Sequence, residues 1–286
     1  MRSRFGIAMF GGAAITVAAL FVFGPASMPV AGQQAAAYRA PRTADGKADL
    51  NGIWQTMNEA NWDIEAHGAG PSPIPELLGA LFAEPPGLGV VEGGPLPYKP
   101  EMLAKKKENF AKRLTRPTTR DLNETTGDPE AKCYMPGVPR ATYIGTPFQI
   151  VQTPQLVFIA YGFASSTRQI HIGRKPEAPA ESWMGWSTGR WEGDTLVVDV
   201  TDQVDKTWFD RAGNFHSDAM HVVERYTPTS QGTLMYEATI DDPKVFTRPW
   251  KMSMPLYRRV EKNAQVLDFK CVDFSQEFMY GHLLKP

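Results

Sequence analysis

Beyond Pro139 the chain is organised in short runs in which apolar and polar side chains alternate, the period of a strand with one face buried. The runs cover 148–152, 156–161, 168–172, 195–200, 221–226, 233–240, 250–257 and 266–271, with one more at 49–55 (DLNGIWQ). In the 233–240 run, Leu234, Tyr236 and Ala238 share one face while Met235, Glu237 and Thr239 take the other. Gly193-Asp194 and Gln231-Gly232 have the composition of tight hairpin turns. Sequential short strands with no helical period between them predict a mainly β chain, an antiparallel meander forming a barrel or a sandwich. Eight or nine strands suit a closed barrel whose interior holds side chains or one small ligand.

The pattern before this region is different. Residues 58–100 are rich in Gly and Pro, with PSPIPELLGALFAEPPGLG at their centre, and leave room for one short helix around 76–83. So long an irregular stretch suits a lid over a pocket or a loose excursion. At 99–114 (KPEMLAKKKENFAKRL) Pro100 and Glu101 open a surface helix and Lys and Arg close it, with a thin apolar stripe of Leu103, Phe110, Ala111 and Leu114. Residues 33–48 are small, polar and unpatterned, as in a linker or arm.

At the N-terminus, Arg2 and Arg4 precede an apolar stretch from Phe5 to Phe23 and then small residues. That is the layout of a secretory signal peptide, here 1–32, which would place the mature protein in the periplasm or outside the cell. An uncleaved anchor is the competing reading, since about eighteen apolar residues can reach across a bilayer; it is the one route to a membrane. The remaining chain, 49–286, reads as a single β domain with its main part at 130–275. Composition adds an exclusion: 30 basic against 31 acidic residues give a net charge of −1, with no basic excess for a nucleic-acid partner. Cys133 and Cys271 are the only cysteines. In an oxidising compartment an isolated pair forms a structural bridge, here tying the start of the main region to its end.

The segment Ser187-Thr188-Gly189-Arg190-Trp191-Glu192-Gly193-Asp194-Thr195-Leu196-Val197-Val198-Asp199 resembles the G-x-S-x-G-x-W-E-G-D-T-L-V-V-D core of a large, mostly uncharacterised family of secreted bacterial proteins. Cys133-x-x-x-Gly137-x-Pro139-Arg140, Thr207-Trp208-x-Asp210, His216-Ser217, His221-Val222-x-Glu224-Arg225 and Asp241-Asp242-Pro243 extend the resemblance over most of 130–275. It implies a secreted β-barrel-like domain and no particular activity. Ile172 before Gly173-Arg174, and Lys175-Pro176 after it, depart from the Asp and His-Pro of the pattern. Gly52-Ile53-Trp54 is similar to the G-x-W with which lipocalins begin their barrel, which favours a calycin-like, ligand-holding reading.

Candidate chemistry gathers in one stretch. Asp210, His216, His221 and Glu224 lie at a loop entering a strand and could supply acid/base groups in a barrel mouth. Two His and a carboxylate also suit a catalytic metal, but the spacing fits no recognised metal motif, and no metal or cofactor is expected. Strand alternation from His221 puts Val222 and Glu224 on the opposite face, which weakens a joint site. Glu192 and Asp199 read as turn and salt-bridge carboxylates, and Ser187 lacks the strand–turn–helix setting of a nucleophile elbow. Trp186, Arg190, Trp208 and Tyr161 are the expected ligand-binding walls, within an aromatic load that includes Trp183, Trp191, Phe209 and Trp250. Two readings follow: an exported acid/base hydrolase, isomerase or lyase acting on a small organic molecule, or a non-catalytic binding protein of lipocalin type.

Overall fold

The computed structural model describes residues 38–72, 83–115, 127–174 and 176–270. The leader, nearly all of the short helix expected at 76–83, and Cys271 with its bridge to Cys133 lie outside the described residues.

Nine strands close into one barrel: β1 (Gly52–Gln55), β2 (Phe148–Gln152), β3 (Leu156–Tyr161), β4 (Thr167–Ile172), β5 (Trp186–Glu192), β6 (Thr195–Thr201), β7 (His221–Ser230), β8 (Thr233–Asp241) and β9 (Trp250–Arg258). Each strand pairs with the next, and β1 closes on β9 through Trp54–Arg258 and Gln55–Tyr257. The turns at Gly193-Asp194 and Gln231-Gly232 join β5 to β6 and β7 to β8. Gly193 has φ +60°, which a residue with a Cβ adopts only under strain.

Two expectations need correction. The meander is not wholly antiparallel, because β4 and β5 run parallel, from Ile170–Ser187 to Ile172–Gly189. Closure demands this: up–down alternation around a ring of nine strands cannot return to its start unless one neighbouring pair is parallel. The connection at 173–185 has the length of about a dozen residues that a parallel return requires. The second correction concerns 266–271, of which the described part, 266–270, forms no strand. Once β9 has paired with β1 no edge is left for it to join, and Leu267 lies exposed. The ninth strand is β5.

Alternation fixes what faces inward. Phe148 and Ile150 of β2, Val157, Ile159 and Tyr161 of β3, Leu196, Val198 and Val200 of β6, and Leu234, Tyr236, Ala238 and Ile240 of β8 belong to one core. Met252, Met254 and Leu256 of β9 complete it from the far side of the seam.

The irregular segment between β1 and β2, where it is described (58–72 and 83–100), is a packed cover. It buries Ala60, Ile64, Leu96 and Tyr98 in the same core and is pinned by isolated bridges Val91–Met252 and Tyr98–Phe246. The compact unit starts at Tyr38, ahead of the expected boundary at Asp49. Ala48 and Leu50 are fully buried, and the Gln152 amide bonds to both backbones. The helix α1 (Leu103–Lys112), shorter than expected and preceded by a 3-10 turn at Pro100–Met102, buries none of its residues. Polar contacts hold it: Lys106 to Glu65 at 2.9 Å, Asn109 to the Gly213 carbonyl at 3.2 Å and Arg113 to Glu84 at 3.1 Å. Leu103, Phe110 and Leu114 face outward.

Candidate functional site

A group of polar side chains lies inside the barrel, in the inward phase of five strands. Glu224 of β7 takes the place between Val222 and Tyr226, and Arg168 of β4 precedes Ile170 by two, so alternation carries both charges into the core. They form an ion pair, Arg168 Nη2 to Glu224 Oε2, with exposures of 3 % and 0 %. Glu224 Oε1 accepts hydrogen bonds from the phenols of Tyr226 at 3.1 Å and Tyr236 at 2.8 Å. Arg168 Nε donates to the Ser187 hydroxyl at 2.8 Å. A buried pair of opposite charges needs this degree of satisfaction, since desolvation costs several kcal/mol per ion.

Satisfaction stops short of completion. Arg168 Nη1, the Tyr161 phenol and the Thr142 hydroxyl are buried without a hydrogen-bond partner. They are neighbours within hydrogen-bonding range of one another: Arg168 and Thr142 both approach the Tyr161 phenol, and Thr142 approaches Tyr226 as well, short of the geometry of a formed bond. Burial holds the phenols of Tyr161, Tyr226 and Tyr236 above their ordinary pKa, the last two well above, so all three are neutral. Thr142 comes from a 3-10 turn, Arg140–Thr142, whose three residues are all buried.

The residues expected from sequence do not come together. Glu224 and Tyr161 belong to this interior group. His216 is buried elsewhere, its Nδ1 2.9 Å from the Ser217 carbonyl and its Nε2 2.6 Å from the Thr207 hydroxyl. Bonding of Nδ1–H to that carbonyl leaves Nε2 to accept from Thr207, and burial lowers its pKa, so the ring is a neutral structural member. Gln203 completes the network, bonding to Thr207 and to the amide of Val138. Gly137 makes it possible, since a Cβ there would stand 2.6 Å from Gln203 Nε2 and Thr207 Oγ1. His221 points out of the barrel, 3.3 Å from Asp199, so His216 and His221 share no cavity. Arg190 is also outside, paired with Asp199 and Glu192. Trp186 stacks on His171 on the outer wall, with centroids 4.8 Å apart. Trp208 packs in the core.

Asp210 joins the cover to the barrel. Its Oδ2 accepts from the Ile64 amide at 3.0 Å and from Asn214 Nδ2 at 2.6 Å, and its Oδ1 from the Asn214 amide at 3.1 Å. Burial, and then the nearby carboxylate of Asp63, push its pKa up to about 7. A carboxyl raised in the folded state contributes stability that is complete below the ordinary carboxylate range and is lost as pH rises towards 7. Asp63→Asn keeps the oxygen that accepts from the Glu65 amide and removes the repulsion. The expected result is a gain of about 1 kcal/mol at pH 8 relative to pH 5, one pK unit being worth about 1.4 kcal/mol. Chemical denaturation at the two pH values measures it, and an equal change at both would refute the coupling.

Sequence reasoning passed over Arg168, Thr142, Tyr226 and Tyr236, and weighed Ser187 only as a nucleophile. The available signal was an ionisable side chain in the apolar phase of a strand, as at Arg168 and Glu224. Among the described residues no group of three or more His, Cys, Asp or Glu is placed to hold a metal ion, and no helix is long and apolar enough to cross a membrane. No protein-family model, curated protein or solved structure matches the chain.

Proposed function

We propose that this protein is an exported, non-catalytic binding protein that encloses one small molecule inside its barrel. The observation that carries the reading is the set of unpartnered atoms, Arg168 Nη1, Tyr161 Oη and Thr142 Oγ1, turned towards one another in the barrel interior. Each buried polar group left unpaired costs about 1–3 kcal/mol, and an apolar residue of the same shape would remove that cost. Three in one place leave hydrogen-bonding capacity that a bound group would complete. The acid/base alternative has less support: Asp210, His216 and His221 lie apart from Glu224, and Glu224 is already engaged by three donors, one of them the charged Arg168 guanidinium, which disfavours its taking a proton. Export through the leader, a bridge between Cys133 and Cys271 and a lipocalin-like mode of holding ligand belong to the same proposal.

Protein purified under native conditions should release a small organic compound on denaturation, detectable by mass spectrometry, and a crystal structure should show its density against Tyr161 and Thr142. Ordered water alone at that position, with nothing released, would overturn the reading.

A further inference from the structure

We infer that the ligand is a compact, uncharged molecule built around a carbonyl group, of the amide, urea or ketone class. This deepens the binding reading above and rests on it. Three observations define the class.

The first is the hydrogen-bond inventory. A guanidinium nitrogen only donates, so the ligand atom facing Arg168 Nη1 is an acceptor. Hydroxyls donate or accept, so Tyr161 and Thr142 take either a second lone pair or an N–H beside the acceptor. A carbonyl with an adjacent N–H satisfies all three.

Charge is the second. The interior ion pair is already balanced, Arg168 against Glu224, and the three phenols around it are neutral. A carboxylate or phosphate would enter as an uncompensated anion beside Glu224, and a cation would face the guanidinium. Either carries a desolvation penalty with no counter-charge to offset it. A neutral dipole carries none. The third is enclosure: Tyr161, Thr142 and Arg168 are each no more than 3 % exposed amid a packed core, so a molecule that reaches them is shielded from solvent and must be small.

The test uses the full mature chain and four probes: N-methylacetamide, urea, acetate and methylammonium, titrated by ligand-observed NMR at equal concentration. For molecules of so few heavy atoms, dissociation constants of roughly micromolar to millimolar are the ceiling. N-methylacetamide or urea is expected to bind at least tenfold more tightly than acetate or methylammonium. Tyr161→Phe and Thr142→Val remove one hydroxyl each while keeping shape, and each is expected to weaken the amide at least tenfold. Because both also remove an unpaired polar atom, the ligand-free variants should melt no lower than the parent chain, which separates lost binding from lost folding. Acetate binding as tightly as the amide, or an ionised compound released from the purified protein, would overturn the uncharged class and leave the binding reading standing. No probe binding, no compound released and water alone against Tyr161 would overturn both.

Discussion

Arg168→Met lowers the stability of the folded barrel by about 3–5 kcal/mol, the expected cost of leaving one partner of a buried ion pair without the other. Glu224 has no exposure at all, and without the guanidinium its only donors are the phenols of Tyr226 and Tyr236. Two neutral donors do not replace a counter-charge at that depth. The companion variant Arg168→Met with Glu224→Leu removes both charges and fills similar volume, and it should recover most of the loss, since buried pairs are often replaceable by well-packed apolar residues. Urea unfolding followed by circular dichroism measures both, with a fall in midpoint at constant slope marking a true change in stability. A cost below about 1 kcal/mol for Arg168→Met would show that the pair is solvated in solution. The double variant has a further use: a folded barrel that no longer releases a ligand assigns the charges to binding. By contrast, truncating Arg190, half exposed in its surface ladder with Glu192 and Asp199, should change little.

How far the sequence led depended on which force set each feature. Burial of one strand face writes itself into the chain as alternation, so β2, β3, β4, β6, β7, β8 and β9 were legible within a few residues. Nine strands fall within the eight or nine expected, yet the set differs, with 186–192 in the place of 266–271. In β5 the inward places go to Ser187 and Gly189, and Gly189 has no side chain to mark the phase; a Cβ there would stand 2.7 Å from Ile170. The parallel β4–β5 pair follows from closing an odd ring, a global condition that no local window contains. The separation of His221 from Glu224 was anticipated, because the strand phase beginning at His221 sets Glu224 on the other face, whereas that of His216 from His221 was not. His216 was not readable, since its partners Thr207 and Gln203 are other loop residues. Proximity in sequence had suggested one site where the fold makes three separate networks. The polar interior illustrates the same limit: phase alone marks Arg168 and Glu224 as inward, but only the barrel's closure brings β4 against β7.

Arg140→Met should be almost as costly as Arg168→Met, about 3–5 kcal/mol, and its damage should begin outside the strands. The Arg140 guanidinium is buried in the turn that also carries Thr142. It grips Asp128 through two bonds of 2.8 and 3.0 Å, Glu130 at 2.8 Å and the Asn61 side-chain oxygen Oδ1 at 2.8 Å. Burial alone would raise the pKa of Glu130, but Arg211 and Arg140 outweigh it and hold the carboxyl below its usual range. Removing Arg140 leaves Asp128 without this partner and takes the donor from the Asn61 side-chain oxygen in the cover, while Asn61 Nδ2 keeps its bonds to Glu130 at 3.1 Å and Arg211 keeps its two bonds to Glu130 at 2.7 and 2.6 Å. Arg140→Lys should not rescue, because one ammonium cannot reproduce a planar fork spread over three acceptors. Hydrogen exchange distinguishes the local from the global effect: amides at 60–64 should lose protection before those of β6, β7 and β8. Simultaneous loss everywhere would mean that the cover and barrel unfold as one unit. Arg140 touches none of the atoms of the interior site, yet it fixes the turn that delivers the Thr142 hydroxyl, so it acts as a positioning residue. Arg140→Met should therefore weaken binding of N-methylacetamide by about as much as Thr142→Val, at temperatures where the variant is still folded, and the two losses should not add.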